Sequence, residues 1–187
     1  MTHIIDHPPP GVTDRRRRWA RIMSGSTVAG MVFTVAAMIW IWIDKSTVQT
    51  MLAPYLGIAG SPVTVTLATQ LMGLALSAPP AALLVYLLLQ ARAIFTGFIA
   101  GRAITDIAAA RVWRIGMILI AKGLLLPFWR MAASVLITFG NPPGQRLAAL
   151  TISLDDILWA IVGGLLVAIG WTLREAARIA DENANFV

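Results

Sequence analysis

The chain has 187 residues, of which 58% are hydrophobic and 13% charged, and a mean hydropathy of +0.76, more apolar surface than a water-soluble core of this size can absorb. Its formal net charge of +6 sits in arginine clusters between long uncharged runs, not on one basic face, which argues against direct nucleic-acid binding. Cysteine is absent, which excludes disulfides, thiolate metal sites and cysteine nucleophiles.

Residues 1–14, with Pro8, Pro9, Pro10 and Gly11, have no apolar periodicity and read as a disordered leader. Arg15, Arg16, Arg17, Arg18 and Arg21 complete this basic segment, 1–21. Residues 22–43 carry no charge, and at ~1.5 Å per residue they cover a ~30 Å hydrocarbon core, which makes them span one. A cleaved signal peptide is the competing reading. The apolar run is too long for one, however, and no A-x-A exit precedes Asp44.

Residues 46–91 are again uncharged, but Pro54, Gly57, Gly60 and Pro62 break their first third, so span two is placed at about 66–89. Pro79 and Pro80 predict a kink, tolerable in a membrane if a neighbour satisfies the carbonyls they free. The connector 90–114 carries Arg92, Arg102, Arg111 and Arg114, and Thr105 is placed to cap a short interfacial helix starting at Asp106. Span three, about 115–139, contains Lys122, Pro127 and Arg130 and ends in the turn Asn141-Pro142-Pro143-Gly144. Span four, about 154–173, begins with Ser153 as N-cap and Asp155 and Asp156 in the first turn, where the helix dipole favours negative charge. It continues as a helical tail over 174–187.

The fold class is therefore an all-α membrane protein, a four-transmembrane-helix bundle with an interfacial helix between spans two and three. Val63-Thr64-Val65-Thr66 and Leu150-Thr151-Ile152-Ser153 alternate as strands do, and their pairing as a small outer β-ribbon is a further expectation. The leader, connector and tail hold the arginine clusters, against Lys45 and Arg146 on the other two loops, so both termini are placed in the cytoplasm, in a bacterial inner membrane. Trp19, Trp113 and Trp171 fall at the inner boundaries of this topology, and Trp40, Trp42 and Trp159 at the outer ones.

Small residues recur every four positions in Thr69, Gly73, Ser77 and Ala81 and in Ala160, Gly164 and Ala168, stripes that suit helix packing within one chain or a homo-oligomer. Lys122 and Arg130 are more informative, because an ionisable group in a membrane segment costs at least ~2.5 kcal/mol unless it snorkels or finds a partner. Lys122 is close enough to the inner boundary for its stem to approach the headgroups. Arg130 lies toward the outer ends of spans one and four, where Asp44, Asp155 and Asp156 gather. Two readings stand: a structural ion pair, or a water-filled outer cavity with a function. No Asp or Glu lies deep in a span, which weakens proton-coupled transport, and Asp155 and Asp156 point ~100° apart, which weakens an aspartyl dyad. The reading is of no enzyme, no cofactor and no metal.

In the tail, Arg178 is spaced to pair with Glu175 and Glu182. Four stretches carry a family resemblance: Gly101-Arg102-Ala103-Ile104-Thr105, Arg111-Val112-Trp113-Arg114-Ile115-Gly116, Asn141-Pro142-Pro143-Gly144-Gln145-Arg146, and Arg174-Glu175-Ala176-Ala177-Arg178-Ile179-Ala180-Asp181-Glu182-Asn183. On these the chain resembles a bacterial family of four-span membrane proteins of unknown function, often encoded beside Cro/C1-type helix-turn-helix regulators. It departs from that family's pattern at Arg102, where an acidic residue is common. No activity carries over. The resemblance implies a cytoplasmic DNA-binding regulator as partner, meeting Arg102, Arg111, Arg114, Arg174, Glu175, Arg178, Asp181, Glu182 and Asn183.

The leading expectation is thus a non-enzymatic membrane sensor or tether, in contact with membrane lipids and such a regulator. The rivals are an oligomeric carrier of small molecules or anions, with Lys122 and Arg130 lining its path, and a structural accessory subunit of a larger membrane assembly.

Overall fold

A computed structural model describes residues 10–63, 65–100 and 105–184. Its backbone is helical almost throughout. Helix α1, Pro10–Ile43, begins inside the expected leader. Residues 10–14 thus belong to a helix and not to a coil, while residues 1–9 lie outside the described part.

Asp44 closes α1 and starts the next element. With φ −87° and ψ 109° it leaves helical geometry, and its carboxylate accepts from the backbone N–H of Ser46 (3.3 Å) and Thr47 (3.1 Å) and from both of their hydroxyls (2.7 and 2.5 Å). These donors, the two hydroxyls above all, hold the Asp44 carboxyl down at about 2. A compact helical segment follows: α2, Lys45–Thr47, a π-helical turn Val48–Leu52, and α3, Ala53–Tyr55. It ends at Gly57, whose φ of +77° suits glycine, and where a Cβ would overlap the Thr151 hydroxyl.

Three long helices complete the chain: α4, Leu67–Ile99; α5, Asp106–Thr138; and α6, Leu154–Ala184. Thr66 caps α4 through Thr69 N–H (3.2 Å), and Thr105 caps α5 through Ala108 N–H (3.1 Å). With α1, these are four helices long and apolar enough to cross a membrane. A helix of 33 residues runs ~50 Å, so α4 and α5 outreach a ~30 Å hydrocarbon core. The extensive helix contacts follow chain order, α1 on α4, α4 on α5 and α5 on α6. The best-buried cluster lies at the Asp44 end, where Val48, Leu52, Ala53, Leu56 and Ile58 pack with Trp42, Ala133 and Ile137.

Two expectations change in detail. Asp106 opens α5 itself, which runs unbroken to Thr138, so among the described residues no separate interfacial helix stands before span three; the short helices occur at 45–55, after α1. Nor is there a strand among the described residues. Residues 145–153 form neither helix nor strand, and two alternate amides among them bond to a helix: Leu147 N–H donates to the Thr138 hydroxyl (3.1 Å) and Ala149 N–H to the Ser134 hydroxyl (3.0 Å). Two residues of extended chain rise ~6.6 Å and four residues of helix ~6 Å, so hydroxyls at i and i+4 match alternate amides of the chain beside them. Among the described residues, 150–153 have no partner strand. Asn141 anchors the start of this segment, its Nδ2 donating to the carbonyls of Pro62 (2.6 Å) and Gln145 (3.2 Å).

Candidate functional site

Helices α5 and α6 meet along an antiparallel seam whose members recur every seven residues, Gly116, Gly123 and Arg130 on one helix and Asp156, Gly163 and Gly170 on the other. Two helical turns separate successive members, so each set lies along one face. A Cβ on Gly116 would lie 2.6 Å from the Gly163 carbonyl oxygen, and one on Gly163 would lie 2.6 Å from the Gly116 carbonyl oxygen. On Gly123 it would overlap the Asp156 carbonyl. The backbones touch, which in lipid supplies the van der Waals contact that holds helices together. Gly164, in the stripe expected from the sequence, has nothing within 4 Å of its Cβ position; the contact glycine is its neighbour Gly163. Ala160 of that stripe does pack, against Gly123. On α4, Gly73 and Ser77 receive Trp42: its ring fills the space a Gly73 Cβ would need, and its Nε1 donates to the Ser77 hydroxyl (2.8 Å).

The seam ends in an ion pair. Arg130 and Asp156 are 2% and 3% exposed, and Arg130 Nη2 donates to Asp156 Oδ2. The same oxygen accepts from the Ser153 backbone N–H (2.8 Å), while Arg130 Nη1 reaches the Ser153 hydroxyl at 3.5 Å. Asp156 is therefore also the return arm of a helix cap, three residues into α6 and bonding back to the residue before it. The Tyr55 ring centre lies 5.2 Å from the guanidinium carbon, within cation–π range. Two polar atoms of the pair, Arg130 Nε and Asp156 Oδ1, are buried without a hydrogen-bond partner. Such atoms cost ~1–3 kcal/mol each and more when charged, so the pair is chemically incomplete.

The other candidates are dispersed. Asp44 is occupied by its own cap. Asp155 is exposed, one position round the helix from Asp156. Lys122 stacks on Trp159, its Nζ 4.1 Å from the ring centre. That contact sets the ammonium against an aromatic face on the facing helix. Among the described residues, no group of three His, Asp or Glu side chains is placed to hold a metal ion.

At the arginine-rich end, Arg111 Nη1 donates to the Ala93 carbonyl (3.0 Å), tying α5 to α4. Arg174 pairs with Asp106 (3.0 Å), tying α6 to α5, and Arg178 pairs with Glu175 (2.6 Å) and Glu182 (3.7 Å). Arg102 and the side chains of Asp181 and Asn183 lie outside the described residues. Nothing in the sequence marks Tyr55 as a contact of the pair, whereas Ser153 carries a signal as its ligand. The spacing of Ser153 and Asp156, a serine with an acid three residues on at a helix start, was the available signal.

No family model, curated protein or solved structure matches the chain.

Proposed function

We propose that the protein is a non-enzymatic, multi-pass component of a bacterial inner membrane that senses or tethers, with its arginine-rich end in the cytoplasm. The observation that carries this reading is the continuity of α6, a single helix from the buried Arg130–Asp156 pair to Ala184. Arg174 and Asp106 brace it to α5, and beyond them it presents Glu175, Arg178 and Glu182, more than half exposed, beside Ile179. Such an extension links a site in the bilayer to a charged docking face through one rigid element. A cytoplasmic helix-turn-helix regulator is the proposed partner, on the resemblance of the connector and tail.

Photo-crosslinking from position 179 in native membranes tests this. Crosslinks to a DNA-binding regulator that vanish in Arg178→Glu/Glu182→Lys support the tether; crosslinks only to other copies of the chain, or to none, overturn it.

The unmet atoms Arg130 Nε and Asp156 Oδ1 favour one rival, an anion carrier. Asp156 already neutralises the guanidinium, however, so an anion would have to displace a buried carboxylate. Anion flux into liposomes holding the purified protein, abolished by Arg130→Leu while the protein stays folded, would establish the carrier instead.

A further inference from the structure

At the arginine-rich end of the α5–α6 seam lies a cleft of about 250 Å3, walled by Trp113, Arg114, Gly170, Trp171, Arg174 and two alanines of α5. We infer that this cleft binds the phosphate headgroup of an anionic phospholipid. The inference needs the chain to lie in a bilayer and does not depend on a regulator partner.

Charge comes first. Arg114 has no hydrogen-bond or ion-pair partner among the described residues, and Arg174 meets Asp106 through Nε alone, leaving its terminal nitrogens free of protein partners. Two guanidiniums against one carboxylate leave the cleft cationic. A guanidinium presents paired N–H groups that match two oxygens of a phosphate.

Shape comes next. A Cβ at Gly170 would lie 2.8 Å from the Trp113 backbone nitrogen, so the floor is closed by direct backbone contact. The volume falls below the ~300–1,000 Å3 of sites that enclose a drug-sized ligand, which suits a headgroup and not a whole lipid.

The rim distinguishes a lipid from free phosphate. Trp113 is 37% exposed and Trp171 64% exposed, and each lies within a turn of one of the two arginines. Indole rings with an apolar face and an N–H belong at headgroup depth, where they can lie against the glycerol and first methylenes of a lipid. A soluble anion would use the arginines and leave both rings idle.

The test is tryptophan quenching of the full-length protein in vesicles containing brominated phosphatidylglycerol or brominated phosphatidylcholine, with inorganic phosphate titrated separately into detergent-solubilised protein. The expected result is stronger quenching by the anionic lipid, a difference that Trp113→Phe/Trp171→Phe removes. Arg114→Gln/Arg174→Gln should weaken the preference roughly fivefold or more per guanidinium lost. Asp106→Asn breaks the same ion pair as Arg174→Gln but leaves both cations, so it should keep or strengthen the preference. If Asp106→Asn loses it as the arginine double variant does, the effect is structural and the site is refuted. Equal quenching by both lipids, or saturable inorganic phosphate binding without lipid preference, also overturns the assignment.

Discussion

The Trp129 indole N–H donates to the Leu76 carbonyl oxygen at 3.0 Å, and Leu76 is the residue whose carbonyl Pro80, four positions on and without an N–H, leaves unpaired in α4. An unmet carbonyl in hydrocarbon is costly, and α5 supplies the missing donor. Trp129→Phe, which keeps a ring and removes the N–H, should destabilise the protein by ~1–3 kcal/mol. Pro80→Ala restores the helical donor, so adding it to Trp129→Phe should recover part of the loss. Unfolding in mixed micelles for the four members of this cycle checks the coupling; additive effects would break the link.

The buried ion pair has its own cycle. Removing one partner leaves an uncompensated charge, so Arg130→Leu and Asp156→Leu should each cost ~3–5 kcal/mol, while the double variant should cost clearly less than their sum. Thermal unfolding in one detergent measures all three.

Adjacent glycines separate the contact face of α6 from its open face. Gly163→Ala forces its Cβ against the Gly116 carbonyl and should cost ~1–3 kcal/mol or more, whereas Gly164→Ala enters open space and should be tolerated. The comparison needs only folded yield and melting temperature.

Asp44 gives the pH dependence. Its folded carboxyl titrates at about 2, below the ~3.9 of an unfolded aspartate. A depressed folded value means that the cap's stabilisation is fully present above about 4 and is lost as pH falls toward and through 2. The protection of the Ser46 and Thr47 amides, their exchange taken relative to the intrinsic rate at each pH, should therefore fall over that window. Asp44→Asn, which can still accept a hydrogen bond but does not ionise there, should flatten the dependence.

Long uncharged runs mark α1, α4 and α6, and apolar composition marks α5 in spite of Lys122 and Arg130, because a hydrocarbon layer would impose length and composition directly. Where those helices stop is less legible: α4 continues ten residues beyond the expected span, past Arg92 and through a second apolar run to Ile99, and α6 continues through a polar stretch to Ala184, since helical hydrogen bonds persist once nucleated in the apolar part. Charge pattern alone picks out Arg130 with three candidate carboxylates, and three-dimensional register pairs it with Asp156. The choice between Gly163 and Gly164 is likewise one of helix rotation, which a small-residue spacing of four leaves undetermined. The 145–153 segment shows that a period-two pattern does not identify what a backbone bonds to.

That segment is also a ruler. Its amides at Leu147 and Ala149 are pinned to hydroxyls on α5, and a fixed number of residues then runs to Asp156. Deleting or inserting one residue between 150 and 153 would turn the start of α6 by ~100° and carry the carboxylate away from Arg130. A stretch that looks like an ordinary surface connection, where length changes are cheap, thus sets the phase in which α6 enters the fold.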